Sequence, residues 1–205
     1  MRRRVRRVLW QAGVLASFGA IAYVGFAIVE TIGRRIPRLP LTGTEGFLLF
    51  LAVVASAHIV LFIHETGHVL GGWLVGYRFR LFVVGPIRIA READRVRVGF
   101  NRDIRRYGGF VAMEPGRRTG TVLRTALVVA AGPTSSLLAG IAFTLVALGE
   151  PSVREVDFGG FLLHRQLEII GPGSIVVGLA NLVPVAFSGG RSDGARLLEL
   201  LMDSR

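Results

Sequence analysis

The stretch Ala57-His58-Ile59-Val60-Leu61-Phe62-Ile63-His64-Glu65-Thr66-Gly67-His68 decides how this chain is read. It places an H-E-x-x-H pattern inside an otherwise apolar run. On a helix, residues four apart share one face, one turn along the axis. His64 and His68 can therefore present two imidazole nitrogens to one zinc ion. Glu65 beside them is placed to take a proton from a water that the ion activates, and to return it to a leaving amine. Three fixed letters also arise by accident, so the setting carries the weight. Charged and strongly polar side chains are expensive at bilayer depth, and those found there point to function by default.

The setting is a membrane protein. The chain has 205 residues, 51% of them hydrophobic, with a mean hydropathy of +0.53. That is too apolar for an ordinary soluble domain and fits a multi-pass membrane protein. Every one of the 25 basic residues is Arg, and the net charge is +11. Such a charge can signal nucleic acid, but these arginines flank apolar runs, and the chain offers no soluble domain to carry them. No nucleic-acid partner is expected. The chain has no Cys, which excludes disulfides and thiolate ligands. Any zinc must be held by His and carboxylate.

The flanking runs predict about four membrane crossings. Arg2, Arg3, Arg4, Arg6 and Arg7 form a basic cap before an apolar run from Val8 to about Ile32. The run is long enough to span ~30 Å of hydrocarbon and longer than a usual signal-peptide core, so a retained anchor is expected, with the cap cytoplasmic. Gly33 to Glu45, with Pro37 and Pro40, reads as an external loop; its Arg34, Arg35 and Arg38 run mildly against the positive-inside rule. The second run, from Gly46 to about Gly76, travels inward and carries the His-Glu pattern. Its histidines lie roughly 12–18 Å before the inner end at 1.5 Å per residue, so the metal belongs inside the membrane, nearer the cytoplasm. His58 is close to the same face, two turns away, and reads either as a group near the site or as a histidine satisfied by a neighbouring helix. Gly67, Gly71 and Gly72 suit close helix packing.

Tyr77 to Gly120 is polar, with 11 Arg against 4 acids. Arg88–Arg91 and Arg95–Phe100 have a strand-like period, and Gly85-Pro86 and Glu92-Ala93-Asp94 supply turns. Its positive charge places this small β segment on the cytoplasmic side. It reads either as a solvated hairpin near anionic head groups or as a strand edge that pairs with an extended substrate, with Tyr107–Val111 dipping towards the site. The third run, from Val122 to Leu148, is interrupted at Ala130-Ala131-Gly132-Pro133, at about the depth of the histidines. A break there is tolerated where it lines a cavity; a kink is the plainer reading. Glu150 to Glu168 reads as an external loop with 4 acids and 2 Arg, His164 being an ordinary surface group. The fourth run begins near Ile169, reaches Asn181-Leu182-Val183-Pro184, and turns through a Gly-rich bend to Asp193-Gly194 before a short amphipathic helix. Asp193 is the expected third zinc ligand: two His, one carboxylate and one open position make a hydrolytic site. Asp also suits a helix N-cap, and both roles can coincide.

Taken together these motifs resemble the site-2 protease family, the intramembrane zinc metalloproteases. His64-Glu65-x-x-His68 in one span, Ala131-Gly132-Pro133 in the next and Asn181-x-x-Pro184 with Asp193-Gly194 stand in that family's order, and the likeness runs from about Gly46 to the C-terminus. The Gly108-Gly109-Phe110-Val111 loop looks like the family's β segment. The resemblance implies one Zn2+ held by His64, His68 and Asp193, with Glu65 as catalytic acid and base. It implies Asn181 as a polar group near the carbonyl that is attacked. One departure stands out: many members place the Asp eight residues after the Asn, whereas here Asn181 and Asp193 are twelve apart, the extra residues falling in Ser188–Ser192.

The expected protein is mainly α and multi-pass in the cell membrane. Residues 1–45 form an anchor helix and external loop, and residues 46–205 a zinc metalloprotease core with the cytoplasmic β segment at 77–120. The expected activity is regulated intramembrane proteolysis: hydrolysis of peptide bonds in membrane-embedded or membrane-anchored protein substrates, with the N-terminus and active-site side cytoplasmic. The alternative from another class is a non-hydrolytic metal-binding membrane protein, a carrier or regulatory subunit. Glu65 argues against it, because binding alone needs no base.

Overall fold

The computed structural model describes residues 2–33, 40–93, 95–116, 121–149, 157–187 and 190–203. The expectations for the Arg34–Arg38 loop, for Asp94, for residues 150–156 and for Ser188-Gly189 fall outside them. Among the described residues, five α-helices, one short 3-10 turn (Ile104–Arg106) and two small sheets make up the fold. Helix α1 covers Arg2–Gly33, α2 Gly43–Leu74, α3 Val122–Gly149, α4 Phe158–Leu182 and α5 Asp193–Asp203. Strands β1 (Arg78–Val84), β2 (Ile87–Glu92), β3 (Arg95–Phe100) and β4 (Phe110–Glu114) lie between α2 and α3. Strands β5 (Ala186–Phe187) and β6 (Gly190–Arg191) lie between α4 and α5.

Among the described residues, three helices are long and apolar enough to cross a bilayer: Trp10–Thr31 within α1, α2 and α3. The fourth expected crossing, α4, is a 25-residue helix packed against the other three. It is not among these three, and it carries Arg165 and Glu168, joined by an ion pair at 2.5 Å. It starts at Phe158, capped by the Asp157 carboxylate, which accepts from the Gly160 N–H at 2.8 Å. The sequence expectation had placed residues up to Glu168 in a loop. The polar first turns hid the helix, because hydropathy alone cannot tell a polar helix turn from a loop.

The interruption expected at Pro133 is absent. Helix α3 runs unbroken through it, and Pro133 is fully buried. Proline removes one backbone hydrogen bond, but α3 packs against both α2 and α4, and this packing carries the helix through. Pro172 is likewise accommodated inside α4.

Small residues let the helices approach. A Cβ on Gly67 would lie 2.5 Å from the Ala131 carbonyl oxygen, and one on Gly178 would lie 3.1 Å from that of Pro133. The Ser135 hydroxyl donates to the Ile63 carbonyl across the α2–α3 contact at 3.0 Å. Gly72 makes room for Met113 of β4. The expected packing role of Gly67, Gly71 and Gly72 is therefore met, with Gly72 serving the sheet rather than a helix.

The larger sheet is antiparallel, in the order β3-β2-β1-β4. Its β2–β3 hairpin covers both stretches expected to be strands. Strand β1 was not foreseen, since Arg78–Val84 alternates only in part before turning wholly buried at Phe82, Val83 and Val84. The sheet packs on the C-terminal half of α2 through Val69, Phe82 and Val84, and Phe62 meets Phe82 edge to face at 5.2 Å. These contacts carry β4 alongside the turn of α2 that holds His64 and His68.

Candidate metal centre

Helix α2 sets the two histidines on one face, with their ring centroids 5.0 Å apart. Each ring is fixed from behind. His68 Nδ1 donates to the Val128 carbonyl at 2.9 Å. His64 Nδ1 meets the Ser136 hydroxyl at 3.0 Å. Both partners are on α3. A histidine whose Nδ1–H is engaged presents its Nε2 lone pair, and such outer hydrogen bonds orient metal-ligating rings. Both Nε2 atoms converge on one oxygen, Asp193 Oδ2, at 3.1 Å from His64 and 3.4 Å from His68.

Asp193 reaches this point from the far end of the chain. Helix α4 ends at Leu182, and the β5–β6 hairpin returns the chain so that α5 starts beside that end. Ser192 acts as the cap of α5: its hydroxyl accepts from the Ala195 N–H at 3.2 Å and from the Val185 N–H at 2.9 Å. The N-cap role considered for Asp193 thus falls to its neighbour, and the Asp193 carboxylate is left for the imidazoles. Gly194 is forced by contact: a Cβ there would sit 2.5 Å from the Leu182 carbonyl carbon. The twelve-residue spacing from Asn181 is taken up by the hairpin.

These donors suit a cation. His64, His68 and Asp193 offer one atom each, all within 4.8 Å of one another. The His68 Nδ1 proton is committed to a carbonyl, so its neutral Nε2 is bare. A bare lone pair facing a carboxylate oxygen in a buried site is repulsive unless a proton or a metal ion lies between them. Two imidazoles and a carboxylate, with no thiolate, match the nitrogen and oxygen donors that zinc takes in open sites.

Glu65 is buried beside the cluster, and the charges that act on it are His68, Asp193 and Arg196. Its other neighbour is backbone. Gly109, at the start of β4, has φ +106°, and a Cβ there would lie 2.9 Å from the Glu65 carboxyl carbon. The Gly108-Gly109 turn therefore does dip onto the site, as the sequence suggested. A cavity of about 290 Å³ contains the cluster and is lined by His64, Glu65, His68, Asn181, Asp193 and Arg196 among others. Asn181 donates from Nδ2 to the Val177 carbonyl of its own helix at 3.1 Å. His58 lies apart, bonded through Nδ1 to the Val54 carbonyl at 2.8 Å and covered by the Gly85 turn. Sequence reasoning missed Ser136 and Arg196. The signal for Ser136 was its position four residues after Gly132, which puts it on the face of α3 that meets the histidines.

Fold and site point to a membrane protein of apolar helices, with a His-His-Asp cluster that could hold a metal ion set against a buried glutamate. The sequence model of Peptidase family M50 matches residues 50–160, more than half of the chain, and the chain belongs to that family. This is the site-2 protease family, whose members are intramembrane metalloproteases. The matched range includes His64, Glu65 and His68 but stops before Asn181 and Asp193. No curated protein and no solved structure matches the chain.

Proposed function

We propose that this protein is an intramembrane zinc endopeptidase that hydrolyses peptide bonds of membrane-embedded or membrane-anchored substrates. The observation that carries the reading is the convergence of His64, His68 and Asp193 beside Glu65 in one buried cavity. In this reading His64, His68 and Asp193 hold a single zinc ion. When bound, the ion supplies Lewis acidity, polarising a carbonyl and making water nucleophilic near neutral pH. Glu65 takes the proton from the attacking water and delivers it to the departing amine. Burial beneath Gly109 restricts Glu65 to a narrow range of positions, which suits a base that must meet one water. Asn181, lining the same cavity, can turn its amide from the Val177 carbonyl towards the substrate carbonyl oxygen as charge develops there.

Peptide bonds inside a helix are shielded by their own hydrogen bonds, so a substrate must be extended to be cut. Strand β4 is at the edge of its sheet, paired among the described residues only with β1, and its Phe110, Val111 and Met113 line the cavity. That free edge can hold an extended substrate by strand addition. Helix α4 serves as the fourth crossing. The arginine-rich sheet, the N-terminus and the water route lie on the cytoplasmic side. Residues 1–45 act as an anchor outside the 46–205 core.

Glu65→Gln tests the reading. In purified protein on a model transmembrane substrate, cleavage by the unaltered chain is chelator-sensitive, and the variant abolishes it while zinc content stays unchanged. A substrate left intact by the unaltered, zinc-loaded protein favours the carrier or regulatory reading instead.

A further inference from the structure

We propose that Arg196 is a specificity-determining residue that receives a carboxylate of the substrate, either an acidic side chain or a chain-terminal group, next to the bond to be cut. The proposal rests on the proteolytic reading above. Asp193 and Arg196 are three residues apart on α5, so the helix face that delivers the Asp193 carboxylate to the imidazoles also delivers the Arg196 guanidinium to the same cavity. Two arginines line this cavity. Arg191 is engaged, its Nη1 lying 2.6 Å from Glu199 Oε2. Arg196 has no ion pair among the described residues, and it is exposed at the cavity mouth.

The charge count gives the site its sign. Among the described residues Glu65 and Asp193 are the only acids lining the cavity, and a divalent cation on His64, His68 and Asp193 balances both. Arg196 then leaves one positive charge over, among walls that include Leu61, Val128 and Val177. An uncompensated cation on the rim of a cleft draws an anion towards that cleft. The planar guanidinium pairs a carboxylate through two parallel hydrogen bonds, which gives orientation as well as affinity. From the mouth, Arg196 can take this group without drawing it onto the metal ligands, and so sets which residue of the substrate lies beside Glu65.

The test uses the full chain, zinc-loaded, in lipid nanodiscs. An extended peptide substrate carries Asp, Asn or Lys walked through the positions flanking the cleaved bond. A second pair carries a free or an amidated C-terminus, which separates the two sources of carboxylate. Binding of each peptide is also measured on the Glu65→Gln protein, where no turnover is needed. One carboxylate position is expected to raise kcat/KM and affinity about 10- to 100-fold over its amide counterpart, the range of a charge-assisted hydrogen bond. Arg196→Gln is expected to remove that ratio with zinc content unchanged, Arg196→Lys to restore part of it, and Arg196→Glu to shift preference to Lys. A peptide series bound without charge preference, a preference that survives Arg196→Gln, or loss of zinc in that variant overturns the proposal. Cleavage without such a preference leaves the protease reading intact. Arg196-dependent binding without cleavage upholds the proposal and removes the protease reading.

Discussion

Gly132→Ala adds one methyl group to α3 and is expected to cost the protein its metal. A Cβ at Gly132 would lie 2.8 Å from His68 Cδ2 and would overlap Nε2 and Cε1. Ordinary contact begins near 3.4 Å, so the ring must retreat by about 1 Å. The ring is not free to do so. Its Nδ1 is tied to the Val128 carbonyl, on the same helix and one turn from the new methyl. Zinc–imidazole distances are held within about 0.2 Å of their preferred value in working sites. A displacement several times larger should cut affinity by at least the 10- to 100-fold that follows loss of an outer hydrogen bond. The assay is zinc affinity of the purified protein by competition with a chromophoric chelator, beside thermal unfolding of the apo form. Affinity should fall by about two decades or more, and apo stability should fall by about 1–3 kcal/mol of overpacking, offset in part by the ~1 kcal/mol by which Ala favours a helix over Gly. An unchanged zinc affinity would falsify the packing argument, since it would mean that His68 does not lie where Gly132 meets it.

Three other substitutions separate the parts of the site. Gly109→Ala forces a side chain into a positive-φ position and against Glu65, at about 1–3 kcal/mol of backbone strain; zinc content should persist while peptidase activity falls about 100-fold, as expected for a group misplaced by about 1 Å. Ser136→Ala removes the hydroxyl behind His64 and should weaken zinc about 10-fold, measured by the same chelator competition, with Ser136→Thr keeping most of the affinity. Gly194→Ala drives α5 away from the Leu182 carbonyl and should lose zinc although no ligand is altered; full zinc occupancy in that variant would contradict the role given to the α4–α5 contact.

The site's histidines were legible because helical spacing is a local property: His64 and His68 need only α2 to be a helix. Asp193 was legible as chemistry but not as geometry. Its delivery depends on a hairpin, on Ser192 taking the cap and on Gly194 fitting under Leu182, none of which periodicity reports. The sheet was half legible. The β2–β3 hairpin announces itself by alternation around a turn, whereas β1 is buried through its second half and β4 follows a Gly-Gly pair that permits either loop or strand. Pro133 misled because local propensity favours a break and tertiary packing against α2 and α4 prevails. Arg196 was invisible because an arginine on a short amphipathic helix near a membrane usually faces solvent or lipid head groups. Only the fold shows that its face is shared with Asp193.

X-ray absorption at the zinc edge of the loaded protein, compared with Asp193→Ala, tests the central claim most directly. The account predicts one zinc per chain with two imidazole nitrogens and oxygen ligands in the unaltered protein, and loss of that zinc in the variant. A spectrum without paired imidazoles, or an Asp193→Ala protein that retains stoichiometric zinc in the same environment, contradicts it.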